Sequence, residues 1–480
     1  MAIVSLESFI EDFSSELRDR NAAIFAGAGL SVDAGFVNWK GLLRPLAVEL
    51  GLDVDREHDL VRIAQYHVNH HDSNRHDLTQ AVLNKFAEKE ARVTENHRIL
   101  ARLPIQTFWT TNYDSCIEQA LRAAGKNPDV KHDPKQLPHT LHGRGAIVYK
   151  MHGDHSHPSE TILCKEDYER YPVSHGDFLT ALAGDLLSKT FLFVGFSFSD
   201  PNLDYVLGRL YTRHGRNQRK HYCFVKKESA EAADAPGDLE YRVAKQELFI
   251  RDLGRYNIRA VVIDAYEDIT RVLSLVENRY KSKTVFVSGA AHEYGALSER
   301  DALGFVHSLG KTLIDRDFRI VTGLGLGVGS TIVDGALQQI YQVQRRSLTD
   351  QLLIRPFPQS VTGKMLWTSY RHDMLAYAGL AVFMFGNKLE GGATPSVVDS
   401  NGMIEEFEIA CAKGTRVLPL GFTGYVARQL YEKVFASFGA YYPTATTAFK
   451  QQFRHLGDTT RTLTEQLTTT VDALVELQKM

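Results

Sequence analysis

The chain has 480 residues, 44% of them hydrophobic and 24% charged, with a formal net charge of −3. That length implies two domains; no apolar run of about 18 residues is present to span a bilayer, and a balanced charge with pI near 6.7 gives no footprint for a polyanion. Neither a membrane nor nucleic acid is therefore expected as a partner.

The first twenty residues place Leu6, Phe9, Ile10, Phe13 and Leu17 at helical spacing, so an amphipathic helix over 3–20 is expected rather than a secretory signal. An apolar strand over 22–27 then runs into Gly27-Ala28-Gly29 and Ser31. Glycines at such a turn remove Cβ atoms that would keep a phosphate from the backbone N–H groups, although a plain strand-to-helix corner has the same appearance. A helix is expected over 41–50. The His-rich stretch at 66–76 sets His67, His70 and His71 on one helical face; with no acidic or cysteine partner following, a solvated polar segment is expected, and no metal site. The cysteines at 116, 164, 223 and 411 stand singly, which excludes a zinc ribbon and fits a reducing, cytoplasmic setting.

Strands are expected at 105–111, 146–151 and 190–196, alternating with helices at 114–124 and 177–188, the pattern of a parallel α/β sheet. The polar segment 228–238 reads as a surface insertion. A helical pattern near 266–280 ends in the KSK of 281–283, which predicts domains 1–283 and 284–480. From 284 five apolar strands alternate with helices: TVFVSG, RIVTG, LLIRPFP, LAVFMFG and RVLPLG. The expected fold class is α/β with two doubly wound parallel-sheet domains.

Three polar motifs sit at expected strand ends in the first half: TTNYD (110–114), KMHGD (150–154) and GFSFSDPN (195–202). Asn112 offers an amide that donates and accepts at once, suited to positioning a nucleophile or ribose hydroxyls. His152 is the candidate base, since an imidazole ordinarily titrates near pH ~6.5. Asp114 serves either to hold Asn112 or the ribose, or to cap the next helix. Together with GAGLS, these motifs resemble the NAD-binding domain of the sirtuins. The resemblance implies that Gly27, Ala28, Gly29 and Ser31 meet the pyrophosphate, that Gly195 and Ser197 lie near the adenosine, and that Asn112 and His152 are catalytic. The four zinc cysteines of protein-deacylating sirtuins are missing, and GFVNWK follows the glycine loop. Hydrolysis of NAD to nicotinamide and ADP-ribose is therefore expected in place of deacylation.

The second half carries IVTGLGLGVGS at 320–330, with glycines at 323, 325, 327 and 329 between a strand and a helix. With TVFVSGAA it resembles the lysine decarboxylase-like, SLOG-type nucleotide-sensing domains. The PGGxGTxxE motif of their hydrolytic members is absent, GMIEEFEIA standing in its place, so sensing is expected rather than catalysis. The full chain resembles the sirtuin-like NAD-cleaving effectors of the Thoeris anti-phage system. That resemblance implies a cyclic ADP-ribose isomer, made by a TIR-domain partner enzyme, as activator, and a homotetramer or higher assembly. It places Ser288, Gly289, Gly325, Gly327, Arg371, Lys388 and Glu406 at the activator, with Glu405 competing for the role of Glu406. An NAD-dependent deacylase or ADP-ribosyltransferase and a non-enzymatic sensing scaffold are the rival readings. The loop 390–402 is expected to be a disordered surface loop.

Overall fold

The computed structural model describes residues 2–36, 39–57, 59–86, 92–231, 234–343, 347–391 and 394–480. The chain divides into two compact units, Met1–Glu277 and Asn278–Met480. The expected boundary at KSK lies a few residues later because the helical pattern continues: the helix Asp268–Lys281 runs across the division.

Among the described residues the first unit holds eight strands: β1 (Ile3–Val4), β2 (Ala22–Ala26), β3 (Thr107–Thr110), β4 (Pro128–Lys131), β5 (Ala146–Lys150), β6 (Thr190–Val194), β7 (His221–Lys226) and β8 (Ile258–Ile263). They form one sheet in the order β1-β8-β7-β6-β2-β3-β5-β4, with parallel pairing throughout. After β2 the chain winds to β3 and β5 on one side; later it winds to β6, β7 and β8 on the other. The order reverses between β2 and β6, the switch point at which open α/β sheets bind ligands. β2 and β6 are buried at every residue, as central strands covered on both faces must be.

The N-terminal helix runs from Leu6 to Arg18 behind an N-cap in which Ser5 Oγ accepts from Ser8 N at 3.2 Å. It buries Phe9, Phe13 and Leu17, the face that the spacing predicted. Each such side chain contributes roughly 1.5–3 kcal/mol through burial. Between β2 and β3 the chain makes a helical layer: Trp39–Glu49, Leu60–His70, His76–Phe86 and Glu95–Arg102. Its core of Leu42, Leu43, Leu46, Ile63, Val68 and Val82 packs against Tyr113 and Leu163. Within this layer His67 is only 1% exposed. Most of the 66–76 stretch is exposed, as expected of a solvated segment, but residues 60–70 turn one face inward, and His67 and Val68 are on it.

The second unit holds β9 (Thr284–Ala290), β10 (Arg319–Thr322), β11 (Leu352–Ile354), β12 (Leu380–Phe385), the hairpin strands β13 (Asn387–Glu390) and β14 (Ser396–Asp399), and β15 (Arg416–Pro419). Five make a parallel sheet in the order β11-β10-β9-β12-β15, reversing between β9 and β12. The architecture is thus α/β with two doubly wound parallel sheets. β13 and β14 pair antiparallel, Asn387 opposite Asp399 and Glu390 opposite Ser396. That corrects the expectation of a disordered loop at 390–402: Ser396-Val397-Val398-Asp399 is an ordered strand. Residues 392–393 of that loop, 232–233 of the 228–238 insertion and 37–38 of GFVNWK lie outside the described residues.

Among the described residues no helix is long and apolar enough to cross a membrane. The four cysteines are free, three of them buried and Cys411 exposed.

Candidate functional site

Strand register sets the first site. Ala26 of β2 pairs with Thr110 of β3 and Val194 of β6, and Thr110 pairs with Lys150 of β5. The chain therefore leaves four neighbouring strands at one level, through Gly27, Thr111, Met151 and Gly195. Asn112 and His152 each lie two residues beyond a paired position, on neighbouring strand ends. Met151 N donates to Thr110 O at 2.9 Å and extends the pairing one step further.

Asn112 is buried and donates through Nδ2 to Gly27 O at 3.0 Å and to Ser31 Oγ at 3.1 Å. Its backbone N–H donates to Thr110 Oγ1 at 3.0 Å. Its side-chain oxygen, Oδ1, is buried without a hydrogen-bond partner. The amide thus fixes the glycine loop with one end and leaves an acceptor with the other. Asp114 supports the helix start: its Oδ1 accepts from Cys116 N at 2.9 Å, one residue ahead of Ser115, the N-cap of the helix Cys116–Ala123.

Within the chain the glycines of GAGLS pack against the loop after β6. A Cβ on Gly27 would lie 2.4 Å from Gly195 O, one on Gly29 2.9 Å from Gly195 Cα, and one on Gly195 2.1 Å from Leu30 N. Gly195 also has φ +62°, a conformation that favours glycine. The N–H groups of Gly27 and Gly29 bond to Val194 O and Gly195 O, both at 2.9 Å, and those of Leu30 and Ser31 close the turn on Gly27 O and Ala28 O at 3.0 Å each. Backbone contact between the β2 and β6 loops accounts for these glycines at the switch point. Ser31 is buried on Asn112. Ser197 is exposed, its hydroxyl 2.7 Å from Ser199 Oγ.

His152 is 2% exposed. Its Nε2 lies 3.0 Å from Asp200 Oδ2, without the alignment of a hydrogen bond, so neither ring nitrogen has a hydrogen-bond partner. Tyr168 stands edge-on to the imidazole at a ring separation of 5.5 Å, with its hydroxyl 3.4 Å from Asp200 Oδ2. Asp200 also caps the helix Pro201–His214 by accepting from Asn202 N and Leu203 N at 3.0 and 2.9 Å. Burial pushes its carboxyl up, but His152 and those two N–H groups outweigh burial and hold it below its ordinary value.

Beneath the site Lys150 is fully buried. It donates to Tyr113 O at 3.0 Å, to Asp114 O at 2.6 Å and to Asp154, and stands 3.2 Å from Glu118 Oε1. The TTNYD and KMHGD segments are thereby tied together. His155 Nδ1 lies 2.9 Å from Tyr113 O and adds a second link.

In the second unit, a Cβ on Gly325 would lie 1.9 Å from Gly289 O and one on Gly327 2.2 Å from Ala291 O. The glycine run thus folds directly over the end of β9, as the first loop folds on Gly195. Ser288 Oγ donates to Glu406 Oε2 at 2.5 Å. Glu406 is buried on the helix Asn401–Ala412, and burial raises its carboxyl despite Ser288 and Arg371 beside it. Arg371, 6% exposed, donates through Nη1 to Glu405 Oε2 at 2.7 Å and has Nε 3.5 Å from Glu406 Oε1. Its guanidinium lies over the Phe357 and Trp367 rings at 5.2 and 5.8 Å. A Cβ on Gly402 would meet Arg371 Nη2 at 2.6 Å, so that glycine makes room for the cation. The structure therefore gathers Ser288, Arg371, Glu405 and Glu406. Lys388 sits instead on β13, where it pairs with Glu390 at 3.3 Å.

Residues 268–478 match the signature of the Sir2- and TIR-associating SLOG family, and residues 106–250 match that of the SIR2-like domain. The NAD(+) hydrolase ThsA of Bacillus cereus (strain MSX-D12) is 48% identical over 472 residues, 98% of each chain. The chain belongs to the ThsA family of NAD(+) hydrolases. ThsA of Acinetobacter baumannii (strain 532279) is 45% identical over 94% of each chain, and ThsA of Cytobacillus dafuensis 43% identical over 98% of this chain and 97% of its own. Like these ThsA proteins the chain is an NAD(+) hydrolase, with NAD as its substrate.

Sequence reading missed Asp200, Tyr168 and Lys150 as site residues. Asp200-Pro201 carries the signal of a helix start, and nothing local connects it to His152. Asn387 was also missed: its Oδ1 accepts from His292 N and Glu293 N at 2.8 and 3.1 Å, and its Nδ2 donates to Glu293 O at 2.8 Å. It is fully buried and pins the β13 hairpin to the loop after β9.

Proposed function

We propose that NAD is cleaved where β2, β3, β5 and β6 end, with Asn112 and His152 as the catalytic pair. The observation that carries this reading is that two buried polar atoms on neighbouring strand ends, Asn112 Oδ1 and His152 Nδ1, have no hydrogen-bond partner. Buried polar atoms are ordinarily satisfied, so such a pair marks a place kept for a substrate. The bond between ribose C1′ and the nicotinamide nitrogen breaks with its electron pair leaving on nicotinamide, whose cationic ring needs no proton. A water oxygen bonds to C1′, and His152 takes the proton that the water loses. Asn112 Oδ1 accepts from a ribose hydroxyl or from that water and holds it in line. Gly27, Ala28, Gly29, Gly195 and Ser197 border the dinucleotide, while Ser31 and Asp114 act from behind, through Asn112 and through the helix start.

The second unit is proposed to sense a cyclic ADP-ribose isomer supplied by a TIR-domain enzyme. Arg371 faces its pyrophosphate, Ser288 and Glu406 its ribose hydroxyls, and Gly289, Gly325 and Gly327 its backbone-lined floor, with Lys388 reaching in from the hairpin. Since Glu405 and Glu406 stand beside Arg371 in the structure, the phosphate competes with these carboxylates for the guanidinium. Moving an assembly from 1% to 99% active requires about 5.5 kcal/mol of differential binding, which several sites in a homotetramer or higher assembly can supply. The setting proposed is cytoplasmic anti-phage defence by NAD depletion.

Nicotinamide release is to be followed with and without cyclic ADP-ribose isomers, for the natural chain and for Arg371→Ala. Activation of the natural chain that Arg371→Ala abolishes supports the reading. Turnover indifferent to every isomer refutes the sensing role.

A further inference from the structure

Outside both sites, three side chains of the helical layer point their ligand-type atoms at one another. Glu49 is the last residue of the helix Trp39–Glu49, and His67 and His71 are one turn apart at the end of the helix Leu60–His70. His67 Nε2 lies 3.0 Å from Glu49 Oε2, and His71 Nε2 2.8 Å from Glu49 Oε1. The ligand atoms of all three lie within 4.8 Å of one another. In a tetrahedral zinc site, metal bonds of 2.0–2.2 Å set neighbouring ligand atoms about 3.3 Å apart. That spacing is within reach of the present cluster, whose two Glu49–histidine contacts are shorter than it and whose longest ligand-atom separation does not exceed 4.8 Å.

Three further features favour a cation over a plain ion pair. Two helices end here, and helix C-termini carry partial negative charge. The carboxylate of Asp77 stands 3.6 Å from the other nitrogen of His71, where a carboxylate behind a metal-bound imidazole fixes its tautomer. The side chains of His71 and Glu49 are 29% and 46% exposed, which leaves an open side for ion entry and for a water as fourth ligand.

We propose that Glu49, His67 and His71 form a site for a divalent transition-metal ion of the zinc class, joining two helices of the layer that packs on Tyr113. Its role is structural, since none of the three residues belongs to the NAD site. The contacting acid, Glu49, precedes the histidines in the chain and is brought to them by helix packing.

The full chain, stripped with chelator and dialysed, is to be titrated with zinc alone against a chromogenic chelator, beside His71→Gln, Glu49→Gln and the neighbouring control His70→Gln. The site predicts one equivalent bound by the natural chain and by His70→Gln, at least tenfold weaker binding in His71→Gln and Glu49→Gln, and a zinc-dependent rise in melting temperature that those two variants lose. Equal zinc binding by all four proteins, or no stoichiometric binding by the natural chain, would overturn it. His71 and Glu49 are partly exposed, and circular dichroism of each apo variant separates lost binding from lost folding.

Discussion

Asp200 faces the His152 imidazole at 3.0 Å while capping the helix Pro201–His214 with its other oxygen. One carboxylate thus joins the ring proposed as base to the N-terminus of a rigid element. The cap uses Oδ1 and the histidine contact Oδ2, so the two roles are separable by substitution.

Asp200→Asn keeps an oxygen for Asn202 N and Leu203 N, and asparagine is as good an N-cap as aspartate. It removes the charge that opposes the imidazolium formed during turnover. NAD hydrolysis is expected to fall by about 10²-fold or more with little change in KM, while the melting temperature stays within about 2 °C of the natural chain. Steady-state nicotinamide release and a thermal melt check both halves. A large drop in melting temperature with unchanged turnover would reassign Asp200 to a purely structural role.

Lys150 lies between Glu118 and Asp154 and holds the carbonyls of Tyr113 and Asp114. Burial pushes its ammonium down, yet the surrounding carboxylates outweigh burial and raise it. Lys150→Met leaves two buried carboxylates without their cation, a change expected to destabilise the first unit by about 3–5 kcal/mol. Urea unfolding measures this directly, and a loss under about 1 kcal/mol would show that the cluster re-pairs without the lysine.

Burial holds His97 down at about 4 and His221 down at about 3. Both are neutral in the fold, so below about pH 6.5 the unfolded chain binds the extra protons. Their contribution to stability is full above that pH and is lost as pH falls towards the folded values, by about 1.4 kcal/mol per pH unit for each histidine. Unfolding free energies at about pH 7 and pH 5 are expected to differ in this direction, with His97→Gln reducing the slope by one proton. A stability that rises on acidification through this window would contradict the burial of these rings.

Much of this architecture was legible in the sequence. The five strands of the second sheet were, because each is a compact apolar run followed by a turn or helix signal. In the first unit β2, β3, β5 and β6 were equally plain, whereas Pro128–Lys131 and His221–Lys226 mix polar with apolar residues and take their strand form from their sheet neighbours. Asn112 and His152 were legible as motif residues, and strand register explains why they emerge side by side. The reason for the glycines was not legible: Gly27 and Gly29 are held by Gly195, a partner distant in sequence. The burial of His67 and its pairing with Glu49 depend likewise on how two helices pack.

The central claim is that a buried amide and a buried imidazole, on the neighbouring ends of β3 and β5 beside the switch point of the first sheet, hydrolyse NAD. Nicotinamide release by His152→Gln, in a protein whose circular dichroism and NAD binding match the natural chain, tests it most directly. The account predicts a fall in kcat of about 10²-fold or more with NAD still bound. Turnover at the natural rate in that folded, NAD-binding variant would contradict it.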